Sequence, residues 1–183
     1  MSNLKSVIEV LLLASECPLS EKKITDILEV EQHAVRQLLS ELQNDCRQRG
    51  VELIEVASGY RFQVRKAMAP WIQKMTEEKP PRYSRALLET LALIAYRQPV
   101  TRGEIELVRG VKVSSNLLNT MQDRGWVCIL GHKESPGRPA MYGTTPEFLD
   151  YFNLKSLTNL PELPDPEVIR LSVNDPVVLT TES

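Results

Sequence analysis

The most constraining feature of this 183-residue chain is an internal repeat with an offset of 81 residues. A proline, an apolar residue and a hydroxyl residue precede a helical pattern in both halves, as Pro18-Leu19-Ser20 and as Pro99-Val100-Thr101. Further along, Ile24 aligns with Ile105, and Ile27 aligns with Val108. After a two-residue deletion in the second half, Leu38, Leu39 and Leu42 align with Leu117, Leu118 and Met121. Because the units of solenoids span roughly 20–50 residues, this longer period predicts one domain-sized unit used twice.

The first unit has the order of elements found in winged-helix domains. Apolar residues at helical spacing predict helices near residues 3–15, from Ser20 as N-cap through Leu28, and over residues 32–49. Two strands, 51–56 and 60–64, then bracket a turn in which we expect Gly59 to take a positive φ. A short closing helix over 68–75 and a proline-stiffened linker over 76–83 follow.

The second unit repeats this order from Ser84. A helix ends near Gly125, and strands over 127–131 and 140–144 flank a tip that contains Pro136, Gly137 and Pro139. A short apolar helix follows, in which we expect Phe148, Leu149 and Phe152 to be core residues. The predicted fold is therefore mainly α with small β wings, as two tandem winged-helix domains over 1–79 and 80–161, followed by an acidic, flexible tail over 162–183.

The first helix carries more apolar residues than one buried face requires. On a helical wheel Leu13 falls among Lys5, Ser6 and Glu9, on the side expected to face water, and Val10 lies beside it. A helix that is apolar nearly all round is buried on more than one side. The second side packs either within the same chain or against another subunit, and the pattern leaves both alternatives open.

Charge is distributed unevenly along the chain. Residues 80–143 carry nine Lys or Arg against five acids, whereas residues 144–183 carry two against seven, and the whole chain has a net charge of −2. A basic middle segment is compatible with phosphate contacts, a solvated face or an acidic protein partner. The overall balance excludes a strongly basic nucleic-acid binder.

Catalytic and metal-binding patterns are absent from the sequence. It contains no phosphate-binding loop, no nucleophile elbow and no zinc helix, and its two histidines support no base–nucleophile pairing. The three cysteines are widely spaced, which predicts reduced thiols and no metal site. We therefore expect no enzymatic activity and no cofactor, and the lack of a signal peptide or an apolar span predicts a cytoplasmic protein.

Several motifs in the second unit, in matching order and spacing, resemble the segregation and condensation protein B (ScpB) family. They are Leu88 to Ala92, Ile94 to Arg102, Arg109-Gly110-Val111, Gly137-Arg138-Pro139, Tyr142 to Phe148, and Leu154 with Leu157 to Pro161. Two positions depart from the family pattern. Asn153 stands where a glycine is expected, which predicts a different turn, and His132 stands where an arginine is expected, which weakens a phosphate role for that strand.

The resemblance implies a non-enzymatic adaptor that dimerises largely through the first domain and binds the kleisin ScpA through both domains, chiefly the second. Through the kleisin it would join the SMC ATPase of a condensin-like complex that condenses and partitions the bacterial chromosome, at the nucleoid, with DNA contacted indirectly or weakly. The candidate kleisin contacts are Arg97, Arg138 and Tyr142. The candidate dimer contacts are Val10 and Leu13. The alternative for Tyr142 is that it joins the second wing to the closing helix.

A dimeric winged-helix DNA-binding transcription regulator is the competing function. Such proteins place the third helix in the major groove and need cations or amide forks there. In the first unit Glu31, Glu41 and Asp45 interleave with the polar face of that helix. In the second unit the helix has little positive charge at its N-terminal end. Neither pattern favours base reading.

Overall fold

The computed structural model describes residues 4–75 and 83–162, so the predicted linker, apart from Tyr83, and all of the predicted tail except Glu162 lie outside the described residues. The described residues are mainly helical, with two small antiparallel sheets. The helices are α1 Leu4–Ala14, α2 Glu21–Leu28, α3 Gln32–Asp45, α4 Ala69–Met75, α5 Arg85–Arg97, α6 Arg102–Arg109, α7 Ser115–Asp123 and α8 Pro146–Tyr151. The strands are β1 Val51–Val56, β2 Gly59–Val64, β3 Val100–Thr101, β4 Val127–His132 and β5 Ala140–Thr144.

The first half is built around the β1–β2 hairpin and three helices. Leu19, just before α2, exchanges two backbone hydrogen bonds with Tyr60 of β2, of 2.9 and 2.8 Å. Gly59 has the predicted positive φ, at 140°, and a Cβ there would lie 2.2 Å from the Leu19 carbonyl oxygen. Glycine is therefore required where the hairpin meets the segment that leads into α2.

The second half has the same arrangement with a fuller sheet. The strands are ordered β3–β5–β4, so the segment before α6 pairs as a true strand. Thr101 caps α6 in a capping box with Glu104, and Ser84 caps α5 by accepting a hydrogen bond from the Leu87 N–H. The predicted start of the second helical set at Ser84 is confirmed.

Each half has its own apolar core, and the predicted repeat aligns residues with equivalent burial. The core of the first half comprises Ile8, Leu12, Leu19, Ile24, Val35, Leu39, Leu42, Leu53 and Tyr60. The core of the second comprises Leu87, Leu91, Ile94, Ala95, Val100, Ile105, Val113, Leu118, Met121, Trp126, Val127 and Phe148. The aligned pairs Leu19 and Val100, Ile24 and Ile105, and Leu39 and Leu118 are all buried. Ser20 and Thr101 are both N-caps.

The third helix is shorter than predicted: α3 ends at Asp45, four residues before Arg49. The guanidinium of Arg65 on the far side of the hairpin donates to the carbonyl oxygens of Cys46 and Arg49, both at 2.9 Å. Those carbonyls are satisfied by a side chain that is distant in sequence, so the chain can leave the helix one turn early.

The turn of the β1–β2 hairpin contacts the end of α8. The Ala57 N–H donates to the Leu154 carbonyl at 3.0 Å, and the Ser58 N–H donates to Asp150 Oδ1 at 3.0 Å. Arg61 Nη2 donates to the Asp150 carbonyl at 2.9 Å and to Asn153 Oδ1 at 2.8 Å. Asn153 has φ 58°, so it takes the left-handed conformation that glycine favours and also supplies a hydrogen-bond acceptor.

Candidate partner-binding surfaces

Helix α1 turns one apolar face inward and leaves a second one exposed. Ile8 and Leu12 are buried in the first core, whereas Val10 is 62% and Leu13 is 66% exposed. Two surface ion pairs join the helix to α3 and to the segment after it: Lys5 Nζ lies 2.9 Å from Asp45 Oδ2 on α3, and Arg49 Nη1 lies 3.6 Å from Glu9 Oε1. No packing within the described part of the chain buries the Val10–Leu13 face.

Helix α4 also exposes apolar side chains. It agrees with the predicted closing helix, but it contributes no buried residue. Trp71 is 66% and Met75 is 77% exposed, and Lys74 Nζ lies 4.9 Å from the centre of the Trp71 ring. Met68, in the 3₁₀ turn that precedes α4, is also exposed. It lies three residues before Trp71 and seven before Met75, a spacing that places the three side chains on one side of a helix.

The tip of the β4–β5 hairpin presents Arg138. This residue has φ 38° and follows Gly137 at φ 82°, and its N–H donates to the Ser135 carbonyl at 2.8 Å. Two successive left-handed residues and a second backbone hydrogen bond, from Lys133 N–H to the Pro139 carbonyl at 2.9 Å, hold the tip in one conformation. Within residues 4–75 and 83–162 the Arg138 guanidinium has no hydrogen bond or ion pair, so an outward cation sits on a fixed turn.

An ion pair attaches this hairpin to α6. Lys133 Nζ lies 2.6 Å from Glu104 Oε1, and the N–H and hydroxyl of Thr101 both donate to Glu104 Oε2 at 2.8 Å. Lys133 first, and then these two donors, lower the pKa of Glu104 from its ordinary value of 4.5 to about 2. The carboxylate thus caps α6 and anchors the wing at once.

Tyr142 and Arg97 lie on either side of β3. Tyr142 is half-buried, is paired with Val100 of β3 and with Ile129 of β4, and packs against the second core. Arg97, at the end of α5, is exposed and has no hydrogen bond or ion pair among the described residues. It lines a shallow cavity of about 290 Å³ with Pro99, Val100, Glu104, Leu107 and Val108. Of the three predicted kleisin contacts, Arg138 lies at the tip of the hairpin, Tyr142 in the middle of β5 and Arg97 at the end of α5.

Two residues of the resemblance motifs have structural roles that sequence reasoning missed. Arg109 donates to Thr90 Oγ1 at 2.9 Å and to Glu89 Oε2 at 3.0 Å, with its side chain only 10% exposed, so it ties α6 to α5. Gln98 Oε1 accepts from the Thr144 N–H at 2.7 Å, and a Cβ at Gly143 would lie 2.8 Å from that oxygen. The helical and strand periodicities of the sequence cannot predict these contacts, because the partners are 19 and 46 residues apart in the chain.

An apolar cavity of about 440 Å³ lies between α5 and the end of the described chain. Leu88, Ala92 and Tyr96 of α5 line one side, and Phe148, Phe152, Leu154 and Leu160 line the other. The prediction of core positions is right for Phe148, which is buried, and for Leu149, which packs against the core. It is wrong for Phe152, which is 38% exposed because α8 ends at Tyr151 and leaves the ring at the cavity mouth.

The described residues carry few features of an enzyme, a metalloprotein or a membrane protein. Residues 4–75 and 83–162 hold no cluster of His, Cys, Asp or Glu suited to a metal ion, and none of their helices has the length and hydropathy to cross a membrane. The three cysteines are free thiols. On the helices that would read DNA in a winged-helix regulator, Arg36 of α3 forms an ion pair with Glu21 at 2.9 Å, and α7 carries no basic residue.

Comparisons with known proteins agree with one another. Residues 6–163 match the family model described as segregation and condensation complex subunit ScpB. The segregation and condensation protein B homolog of Coxiella burnetii is 54% identical over 167 residues, which cover 89% of this chain and 80% of that protein. Segregation and condensation protein B of Bacillus subtilis is 39% identical over 166 residues, covering 89% of this chain and 84% of that protein.

Some solved structures have sequences related to this chain. The crystal structure of ScpB from Mycobacterium tuberculosis is 32% identical and has a TM-score of 0.39, covering 82% of this chain and 95% of that one. A structure described as a dimer of the ScpB N-terminal domain complexed with ScpA peptide is 29% identical, with a TM-score of 0.40. It covers 44% of this chain and 99% of that one.

Proposed function

Because this chain belongs to the segregation and condensation complex subunit ScpB family, we propose that it is a non-catalytic adaptor that dimerises and binds the kleisin ScpA. Through the kleisin it joins the SMC ATPase of a condensin-like complex that acts in chromosome condensation and segregation during cell division. The observation that carries the proposal is the family match over residues 6–163, supported by 54% identity to a named relative.

In this proposal the chain is two tandem winged-helix domains, over 1–79 and 80–161, followed by the 162–183 segment. Support comes from the two separate apolar cores, each enclosed by three helices and a hairpin. A duplicated unit is supported by residues 81 positions apart that do the same thing. Ser20 and Thr101 are both helix N-caps, and Ile24 and Ile105 are both buried.

The first domain forms the dimer through the exposed face of α1. Val10 and Leu13 are large apolar side chains on a rigidly held helix, and a second copy is a partner that would remove both from water. Burying two such side chains stabilises an interface by roughly 3–6 kcal/mol before the costs of association.

Of the two domains, the second supplies most of the kleisin contacts. Arg138 on its fixed turn and Arg97 beside the shallow cavity are outward cations suited to carboxylates of a partner. Tyr142 supports this surface from beneath, since its pairing with β3 and β4 sets the position of the hairpin.

The protein acts in the cytoplasm at the nucleoid, with DNA contacted indirectly or weakly. The regulator alternative is less well supported, because Arg36 is held by Glu21 and α7 offers no cation to the phosphate backbone.

Light scattering of the full chain, alone and mixed with ScpA, tests this function. We expect a dimer alone and a heavier complex with ScpA, and we expect Leu13→Glu to give a folded monomer because a buried, unpaired charge opposes association. Val111→Glu is the matched control, since Val111 is 53% exposed in the other half of the chain. A dimer mass unchanged by Leu13→Glu would refute the α1 interface, and no complex with ScpA would refute the adaptor function.

A further inference from the structure

The apolar cavity beside α5 is a groove whose lining is partly exposed, and we call it the α5 groove. Leu88, Ala92 and Tyr96 recur every four residues, so they form one stripe along α5. Leu88 is 42% exposed, and Phe152 on the opposite wall is 38% exposed. None of the described residues that line the groove is charged. An exposed apolar surface of this kind usually marks a site that another segment covers.

The described chain ends at the rim of the α5 groove. Leu160 and Pro161 belong to its lining, and the Tyr96 hydroxyl donates to the Pro161 carbonyl at 2.5 Å. Glu162, the next residue, is the last one that the structure describes. The segment that follows therefore begins beside the groove, from a point that a hydrogen bond attaches to α5.

This following segment contains a stretch that matches the groove in chemistry. Residues 168–173 contain no acid, and apolar residues alternate there with Arg170 and Ser172. The alternating apolar residues are Ile169, Leu171 and Val173. A period of two predicts an extended segment with one apolar side. An uncharged apolar groove is the kind of surface that removes such a side from water.

We propose that residues 169–173 dock in the α5 groove of the same chain, with Ile169, Leu171 and Val173 against its apolar lining. Both surfaces belong to this chain, so the inference does not depend on the proposed adaptor function. Docking closes the groove to other apolar ligands. The segment thereby controls access to this face of the second half of the chain.

The dimensions of the groove and of the segment agree. Leu88 and Tyr96 are eight residues apart on α5, so the apolar stripe is about 12 Å long. Ile169 and Val173 are four residues apart, which is about 13 Å in an extended chain. The apolar side of the segment can therefore cover the stripe from end to end.

The connection to the rim favours this occupant over a partner from solution. Pro161 and Ile169 are eight residues apart, a distance of up to about 26 Å, so the segment can reach either end of the groove. Pro164 and Pro166 lie in the connection and favour an extended backbone. A short connection gives an effective concentration on the order of millimolar, so a contact that is weak in itself is sufficient.

NMR of the full chain with labelled Ile and Leu methyl groups tests the contact. We expect nuclear Overhauser cross-peaks from Ile169 and Leu171 to Leu88 and Leu154, which line the groove. Leu171→Asp should remove the cross-peaks of Ile169 and shift the methyl signals of Leu88, because burial of an unpaired carboxylate is unfavourable. The methyl signals of Ile24 in the first core should stay in place and show that the fold is intact.

Ser172→Asp is the matched control. It adds the same charge to the same segment, on the side predicted to face away from the groove, and should keep the cross-peaks. A wild-type spectrum without them would overturn the inference, and a shift of Leu88 on addition of ScpA would then assign the groove to that partner. Cross-peaks that arise only between differently labelled chains in a mixed sample would also overturn it, because the occupant would be the segment of a second copy.

Discussion

At the scale of single residues, a few side chains and glycines hold the hairpins against the helices. Gly59 lets the first hairpin approach the segment before α2, and Glu104 ties the second hairpin to the start of α6. Gly59 and Glu104 both act at the segment directly before a helix, which is Leu19 before α2 and β3 before α6. That junction recurs in the two halves, so its residues determine whether the wing is attached.

Gly59→Ala should destabilise the chain strongly. At φ 140° a Cβ would lie 2.2 Å from the Leu19 carbonyl oxygen, so the hairpin must shift or the Leu19–Tyr60 hydrogen bonds must break. We expect a loss of more than about 2 kcal/mol in the free energy of unfolding, measured by urea denaturation.

Gly103→Ala is the matched control for that substitution. Gly103 lies in α6 with no atom within 4 Å of the added Cβ, so alanine should stabilise the chain by roughly 0.5–1 kcal/mol. Similar effects of the two substitutions would show that the close approach at Gly59 is not important.

The Glu104 carboxylate predicts a pH dependence of stability. Its pKa is lowered from 4.5 to about 2, so its contribution is complete above pH 4.5 and is lost as the pH falls toward 2. Glu104→Gln should therefore flatten the decline of unfolding free energy over this window. Glu134→Gln, an exposed position on the same hairpin, should leave the decline as in wild type, and a wild-type slope in Glu104→Gln would contradict the account.

At the scale of elements, the second hairpin combines a supported base with an outward tip. Tyr142 is half-buried in the middle of β5, so Tyr142→Ala should cost about 1–3 kcal/mol, less than truncating a fully buried aromatic ring. Loss of kleisin binding in that variant would be difficult to separate from loss of structure. Arg138 is the cleaner probe of the surface.

Arg138→Glu should weaken kleisin binding roughly tenfold, equivalent to about 1.4 kcal/mol, while the thermal midpoint stays near that of wild type. The cause is reversal of an outward charge that has no partner within the described residues. Arg138→Lys keeps the charge and should retain most of the affinity, measured by titration calorimetry. Both variants carry a Cβ at φ 38°, so backbone strain is the same. Undiminished binding by Arg138→Glu would remove the tip from the kleisin surface.

At the scale of the whole molecule, the sequence predicted the features that occur in both halves of the chain. It did not predict the contacts that occur only once. Caps and apolar spacing located the helices and hairpins, because Ser20, Thr101, Ile24 and Ile105 act locally or periodically. The early end of α3 depends on Arg65, and the packing of the first hairpin on α8 depends on Arg61. These partners are far apart in the chain and leave no pattern. The helical wheel left open whether Leu13 packs within the chain or against another subunit, and in the structure Leu13 is 66% exposed.

The most direct test of the adaptor function is purification of the tagged full chain from its source cells after exhaustive nuclease treatment. Mass spectrometry would then identify and quantify the proteins that remain bound. The account predicts a kleisin and a large coiled-coil SMC ATPase in near-stoichiometric amounts after the nucleic acid has been removed. If both are lost once nucleic acid is removed, the adaptor function is contradicted and a DNA-binding regulator becomes the better description.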